Sequence, residues 1–190
     1  MMKRAFSPAA SATAAVLLSL TTPAWAEAPA WTIDYGASSL GFSATQNDKA
    51  FDGTFGEWTA DINFDPEDLA GSRITAQITL KSAKTGDRQR DRALPGKDWF
   101  NVKETPVASF TSDEIVANGD GYIAKGTLDL RGVEKPLELT FDVDIEGNAA
   151  SASGEAIIIR TDHEVGQGEF ATGKWVGVEV AVTLSISASK

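Results

Sequence analysis

The sequence predicts an all-β fold, an antiparallel barrel of about eight strands with one or two short helical turns. Apolar and polar residues alternate in most segments, most strictly at 137–145, where LELTFDVDI places every second side chain on one face. Short groups of turn residues separate these segments, and no helical period lasts beyond about two turns. Short connections favour an up-and-down meander, and a two-sheet sandwich is the alternative fold.

The first half of the chain contains three alternating segments. The first covers 38–45, and the second covers 51–64, where the apolar positions change from odd to even across Gly56. This change predicts a bulge or a sharp bend at the glycine. The third segment covers 74–80. Between the second and third, DPEDL at 65–69 has a capping residue followed by proline and acids, which predicts a single helical turn.

The middle of the chain lacks this alternation. Residues 87–94 are short and charged and end at Pro95, which predicts a brief helix or a loop. Residues 97–105 carry Trp99 and Phe100, and we expect this segment to pack as a cap or a crossover.

The second half returns to alternation. The predicted strands lie near 107–117, 122–130, 134–146, 149–160 and 174–188. Several reach ten residues or more, which at about 3.3 Å per residue suits the long tilted strands of a barrel.

Small residues share the inward faces with large aliphatic ones. They are Ala76, Ala124, Gly126, Ala152, Gly154 and Ala156. A tightly filled barrel would have bulk at such positions, so their size predicts an internal cavity for one small ligand. The alternatives are packing that follows the taper of the barrel, or a cavity filled by Trp99 and Phe100.

The N-terminus has the pattern of a secretory signal peptide. Lys3 and Arg4 precede an apolar run at 9–20, and AWA at 24–26 is a small-residue cleavage site. We therefore expect a signal peptide at 1–26, a barrel domain at 27–190 and a periplasmic location. A retained membrane anchor is the alternative, but the apolar run is shorter than the roughly 20 residues that span a bilayer.

Composition excludes several kinds of site. The chain has no cysteine, its two methionines are Met1 and Met2, and its one histidine is His163, so we expect no metal and no cofactor. The formal charge is −10, and becomes −12 if cleavage removes Lys3 and Arg4. Such a surface repels phosphate groups, which argues against nucleic acid as a partner and against a general affinity for anionic headgroups.

Catalytic motifs are incomplete. GEFATGK at 168–174 has the start of a phosphate-binding loop, but Trp175 follows where Ser or Thr is needed, and an alternating segment follows in place of a helix. His163 has neither a second histidine four residues on nor a Gly-x-Ser-x-Gly elbow in the chain. We expect an exposed loop histidine and a protein that is not an enzyme.

The densest positive charge is the group Arg88, Arg90 and Arg92. Arginines at a barrel mouth can bind a polar or phosphorylated headgroup through two parallel hydrogen bonds. The alternative is a surface ion-pair network with neighbouring carboxylates, those of Asp87, Asp91 and Asp98.

Eight short motifs in a fixed order resemble the YceI-like family. They are WTID at 31–34, SLGF at 39–42, FDGTFG at 51–56, RD at 90–91, LPGKDWF at 94–100, PVASF at 106–110, GTLDLRG at 126–132 and RTD at 160–162. The resemblance covers nearly all of the chain after residue 26. It implies an exported, lipocalin-like barrel whose interior binds polyisoprenoid or other long-chain lipids. Ser38 and Gln46 stand in the neighbourhoods where many relatives carry a histidine.

A second resemblance concerns RTDHEVGQGE at 160–169. It is similar to a branch of the family whose members occur fused or adjacent to cytochrome b561-type membrane proteins. In this chain His163 and Glu164 replace the usual aromatic residue and glycine.

The leading hypothesis is an exported lipid-binding protein that holds an isoprenoid or other long-chain amphiphile, such as a quinone or a polyprenyl phosphate. Its predicted ligand-binding residues are Leu40, Phe42, Ile78, Leu80, Phe110, Leu128, Leu130, Leu139, Phe141, Ile158 and Val178. Its predicted headgroup contacts are Arg88, Arg90 and Arg160. The alternatives are an accessory partner of a cytochrome b561-type protein without a stable lipid ligand, and a hydrolase that uses an acidic pair and His163. The sequence leaves open whether two barrels pair as a homodimer.

Overall fold

The computed structural model describes residues 28–190, so the predicted signal peptide lies outside the described part. The strands are β1 (Ala30–Ile33), β2 (Ser39–Gln46), β3 (Lys49–Phe55), β4 (Trp58–Asn63), β5 (Arg73–Thr79), β6 (Ala83–Lys84), β7 (Val107–Asn118), β8 (Gly121–Leu130), β9 (Val133–Glu146), β10 (Ala149–Ile159) and β11 (Glu179–Ser189). The one α-helix of this part is α1 (Arg88–Ala93), and three 3-10 turns cover Leu80–Ser82, Arg160–His163 and Gly168–Phe170. Over the same residues, no helix has both the length and the apolar composition needed to cross a membrane.

The strands close into a ring. Hydrogen-bonded neighbours run β1–β4–β5–β7–β8–β9–β10–β11, and β11 returns to β1 by pairing Ser189 with Thr32 and Ala188 with Ile33. Each of these pairings is antiparallel. The predicted eight-stranded antiparallel barrel is confirmed.

The remaining strands, β2, β3 and β6, continue strands of the ring on the other side of bends in the chain. β3 and β4 are parts of one strand that bends at Gly56, and both Phe55 and Trp58 reach the interior. β5 and β6 flank the turn Leu80–Ser82 and pair with β4 and β3 respectively. β1 and β2 lie along the same edge of β11. The chain is thus an up-and-down meander, and the predicted change of apolar face at Gly56 is confirmed.

Two boundaries differ from the prediction. The last strand starts at Glu179, five residues after the predicted start at Lys174, and before it Val176 makes a single bridge to Gln46. The helical turn expected at 65–69 does not form. The Asp65 carboxylate accepts the backbone N–H of Glu67 at 2.9 Å, as an N-cap does, but only a turn bond follows, from the Asp68 N–H to the Asp65 carbonyl oxygen at 3.0 Å. One such bond does not offset the cost of starting a helix.

Candidate functional site

A cavity of about 260 Å³ occupies the interior of the barrel, and its wall is almost entirely aliphatic and aromatic. Ten of the predicted ligand-binding residues form part of this wall: Leu40, Phe42, Ile78, Leu80, Phe110, Leu128, Leu130, Leu139, Phe141 and Ile158. Residues of the same parity in neighbouring strands complete it, among them Phe55, Trp58, Val180, Val182 and Leu184. The alternation that predicts the strands also identifies these additional residues.

Val178 is the exception. It precedes the first residue of β11, and it does not line the cavity. Its backbone carbonyl accepts the N–H of Arg160 at 2.9 Å, and its side chain lies beside Gly173. The alternation of valines is unbroken from 176 to 182, but pairing with β10 begins only at Glu179. The alternation therefore does not predict the direction of the Val178 side chain.

The small inward residues serve two purposes. Ala76, Ala152 and Ala156 line the cavity, as predicted. Gly126 and Gly154 do not, because neighbouring strands approach them closely: a Cβ on Gly126 would lie 2.2 Å from the Thr111 carbonyl oxygen, and one on Gly154 would lie 2.9 Å from that of Thr140. Both interpretations of the small residues are therefore correct: some of these residues line the cavity, and others allow neighbouring strands to pack closely.

One end of the barrel, here called the closed end, is filled by aromatic side chains. Phe64 contacts Tyr122 and Phe141 edge to face, with ring centres 5.0 and 5.7 Å apart, and Tyr122 stacks on Phe141 at 5.4 Å. The Trp31 indole Nε1–H donates to the Phe64 carbonyl oxygen at 2.9 Å. Trp31, Phe64 and Phe141 are buried, so this end is continuous with the hydrophobic core.

The opposite end, here called the capped end, is covered by residues 94–105, the cap. Leu94, Trp99 and Phe100 of the cap line the cavity, which confirms the expectation that 97–105 packs over the barrel. Backbone hydrogen bonds from Phe100 to Leu94 and from Asn101 to Gly96, both 2.9 Å, hold the cap in a compact turn.

Residues 160–178, here called the Arg160 segment, pack against the cap. The backbone N–H groups of Gly166 and Gln167 both donate to the Asp98 carbonyl oxygen, at 2.8 and 2.7 Å. The Trp99 and Phe170 rings contact each other with centres 5.2 Å apart. The cap and the Arg160 segment together cover this end.

The Arg160 guanidinium organises its segment. It is 3% exposed and donates to five backbone carbonyl oxygens, those of Val165, Phe170, Thr172, Val176 and Gly177. Burial lowers the pKa of Arg160 from its ordinary value, but a guanidinium starts so far above neutral pH that it stays charged. The structure thus gives Arg160 a different role from the predicted headgroup contact. These long-range bonds also explain why the chain before Glu179 bends away from the sheet.

Arg131 joins the two covering segments at their edge. Its Nη1 lies 3.0 Å from Glu164 Oε2, and its Nη2 donates to the Lys97 carbonyl oxygen at 2.9 Å. In the sequence, Arg131 stands out only as part of the family motif GTLDLRG at 126–132. Its contacts with the two covering segments leave no local pattern, because its partners lie more than 30 positions away.

The helix α1 places the arginine group at the capped end. Arg90 is half-buried, donates from Nη1 to Gln46 Oε1 at 3.1 Å, and lies 4.2 Å from the centre of the Phe51 ring, which lines the cavity. Arg88 and Arg92 are exposed. Of the predicted headgroup contacts, Arg160 lies in the cavity wall, Arg90 contacts the wall through Phe51, and Arg88 is not among the lining residues.

The expected ion-pair network around α1 is absent. Within 28–190, pairs of opposite charge within 4.0 Å are Lys125–Glu114 and Arg131–Glu164 alone. Asp87 caps α1: it accepts the backbone N–H groups of Arg90 and Gln89, and these bonds hold its pKa below the ordinary value. The backbone N–H and hydroxyl of Thr85 lower the pKa of Asp91 in the same way. The carboxylates stabilise local backbone, which leaves the arginine charges unneutralised by a direct partner.

His163 is buried, 3% exposed, so the prediction of an exposed loop histidine is wrong. Its Nδ1 lies 2.9 Å from the Val133 carbonyl oxygen, and because a carbonyl only accepts, this nitrogen carries the proton. The ring is held by backbone and lies outside the cavity wall. In the described part, no group of three or more His, Cys, Asp or Glu side chains could hold a metal.

Three solved structures share this architecture. A Burkholderia cenocepacia protein, BcnA, is 28% identical, with a TM-score of 0.79 over 83% of this chain and 100% of the other. A Campylobacter jejuni YceI protein is 23% identical, with a TM-score of 0.63 over 73% of this chain and 84% of the other. A domain from Saccharophagus degradans, described as a polyisoprenoid binding domain implicated in plant cell wall breakdown, is 16% identical, with a TM-score of 0.62 over 84% of this chain and 97% of the other.

Sequence comparison gives the family. A UPF0312 protein from Yersinia pestis is 36% identical over 96 residues, which is 50% of each chain, so the present chain spans about half the length of the curated relatives it matches. The YceI-like domain matches residues 31–188, from the first strand of the barrel to the last. The chain belongs to the YceI-like family.

Proposed function

We propose that this protein is an exported, periplasmic lipid-binding protein that holds the tail of a polyisoprenoid or another long-chain amphiphile inside its barrel. The observation that carries the proposal is the cavity of about 260 Å³ with an aliphatic and aromatic wall. An apolar cavity of this kind is a poor site for water, which needs polar partners, and a good site for hydrocarbon. The proposal assigns the protein a binding role without catalysis.

The tail supplies the affinity. Burying about 300 Å² of hydrocarbon at ~25 cal/mol per Å² stabilises a complex by roughly 7 kcal/mol before association costs are subtracted. These costs are reduced when the wall is already formed, and here the lining residues belong to a closed barrel with a shared core. A longer tail should therefore bind more tightly until the cavity is full.

The polar head belongs at the capped end. Arg160 is the one charged residue of the cavity wall, and its guanidinium already binds five carbonyl oxygens. A phosphate in the middle of the barrel would thus lack a counter-charge. Arg90, half-buried over the ring of Phe51, is the cation placed to meet the head of a quinone or a polyprenyl phosphate where the tail enters.

The family and the fold support this proposal, and so does the likeness of the barrel to a domain described as polyisoprenoid binding. An association with a cytochrome b561-type membrane protein, and a homodimer, stay predictions.

The test compares lipid content in two neighbouring variants. Ala152 lines the cavity and Ser153, next on β10, is exposed, so Ala152→Phe fills the interior while Ser153→Phe adds the same ring outside. We expect native mass spectrometry and solvent extraction to find a long-chain lipid on the parent and on Ser153→Phe, and at least tenfold less on Ala152→Phe. A parent that carries no lipid and binds no added long-chain quinone would overturn the proposal. Circular dichroism checks that both variants fold, since overpacking costs about 1–3 kcal/mol.

A further inference from the structure

An exposed tryptophan lies at the capped end of the barrel. The Trp175 side chain is 44% exposed, and the ammonium of Lys174 lies 4.6 Å from its ring centre. The neighbouring residues 171–174 are also exposed. A large aromatic ring paired with a lysine is the combination that proteins place at the boundary between lipid headgroups and acyl chains.

Backbone contacts connect this tryptophan to the entrance of the cavity. The Trp175 carbonyl oxygen accepts the N–H of Asn47 at 2.9 Å, in the turn that joins β2 to β3. On the other side of the same turn, Gln46 accepts a hydrogen bond from Arg90 of α1. Trp175 and α1 therefore flank one turn at the end where the cap covers the cavity.

Local charge at this end differs from that of the whole chain. The formal charge of the protein is −10, whereas the stretches that cover this end are nearly balanced: 84–104 has six basic and four acidic residues, and 160–178 has two basic and three acidic. At physiological ionic strength the Debye length is about 8 Å, so a membrane in contact with this end senses nearby charges far more than those on the opposite wall. Arg88 and Arg92 are exposed and have no carboxylate within 4.0 Å in the described part. The repulsion of anionic headgroups that the net charge predicts is therefore much weaker at this end, where Arg88, Arg92 and Lys174 supply the cations.

We propose that the capped end is a docking surface for a phospholipid bilayer with anionic headgroups. Trp175 enters the headgroup boundary, Lys174 remains at the phosphate level, and Arg88 and Arg92 contact neighbouring headgroups. This inference rests on the proposed function and extends it, since it names the face through which a tail passes between membrane and barrel. The chemistry that recognises the surface is an apolar ring together with clustered cations.

The test measures partition onto vesicles that contain no added ligand. Purified protein is sedimented with vesicles of phosphatidylethanolamine and phosphatidylglycerol, and with vesicles of phosphatidylcholine. We expect Trp175→Ala to lower partition onto the anionic vesicles about tenfold. Lys174→Gln should lower it roughly fivefold there and have little effect on phosphatidylcholine. Neither substitution removes the backbone bond between Trp175 and Asn47, and circular dichroism checks that both variants fold.

Ile157→Ala is the matched control, because Ile157 is 49% exposed on the outer wall of β10. The inference is overturned if Trp175→Ala partitions like the parent, if Ile157→Ala loses as much, or if Trp175→Ala changes the oligomeric state measured by light scattering. The lipid content of the parent and its binding of a long-chain quinone, both measured without vesicles, separate the two proposals. A parent that docks but carries no lipid and binds no long-chain quinone refutes the lipid cavity alone, and one that holds lipid but does not dock refutes the docking surface alone.

Discussion

The two ends of the barrel are closed by different chemistry. At the closed end, Trp31, Phe64 and Phe141 pack as part of the hydrophobic core. At the capped end, Phe100 and Val165 also reach the core, but Arg160 and Arg131 additionally hold the covering loops through backbone carbonyl oxygens and one ion pair. Aromatic packing is lost only when the core opens, whereas hydrogen-bonded loops can separate from the sheet and return. The comparison indicates that the capped end opens more readily than the closed end, which supports the proposal that a tail enters through the capped end.

The largest expected loss of stability comes from a substitution at the closed end. Phe64→Ala removes a buried ring that contacts two other aromatic rings, and we expect the free energy of unfolding to fall by about 4 kcal/mol. Urea denaturation measures this loss. Tyr35→Ala, which removes a ring that is about half exposed, is the control and should cost much less. Equal losses in the two variants would show that the aromatic cluster is not a special contribution to stability.

Arg160→Ala opens the capped end and should cost less globally, about 3 kcal/mol, because water can reach the released carbonyl oxygens. Amide hydrogen exchange should accelerate mainly within 160–178 and in the cap, while β8 and β9 stay protected. Arg160→Lys keeps the charge but supplies fewer donors, and we expect an intermediate result. Uniform acceleration across the barrel would contradict the separation of the two ends.

Glu164→Gln removes the charge from the ion pair by which Arg131 holds the Arg160 segment, and tests whether this pair slows opening of the capped end. The carboxylate is exposed, so its pair with Arg131 contributes about 0.5 kcal/mol at most to stability. We expect a faster uptake of long-chain quinone in stopped-flow measurements with nearly unchanged stability. Glu114→Gln, which breaks the ion pair with Lys125 on the barrel wall, is the control and should leave uptake unchanged.

The smallest expected effect is a pH dependence confined to α1. The folded pKa of Asp87 is lowered from 3.8 by the backbone N–H groups of Arg90 and Gln89. Its capping contribution is therefore fully present above the unfolded pKa and is lost as the pH falls through the lower, folded value. Amide exchange at 88–93 should accelerate below about pH 4 relative to the strands, after correction for intrinsic rates. Asp87→Asn keeps a capping side chain without the titration, and should reduce the pH dependence to the part that comes from Asp91, whose pKa is also lowered.

The sequence predicts the barrel well because strand parity is a local property. Alternation identifies Phe42 and Leu139 as inward, and the change of parity at Gly56 predicts the bend between β3 and β4. The capped end is predicted poorly, since its geometry depends on contacts between distant residues. The carbonyl oxygens around Arg160 and the partner of His163 leave no pattern in the chain, so the start of β11 and the burial of that histidine are missed.

The measurement that tests the account most directly uses the tryptophans of the two ends as reporters. Two variants keep either Trp31 or Trp99 and replace the other tryptophans by phenylalanine, and each is titrated with a long-chain quinone, whose head quenches indole fluorescence on contact. We predict saturable quenching that is strong for Trp99, at the capped end, and weak for Trp31, at the closed end. Equal quenching of both, stronger quenching of Trp31, or quenching that never saturates would contradict a tail held inside the barrel with its head at the capped end.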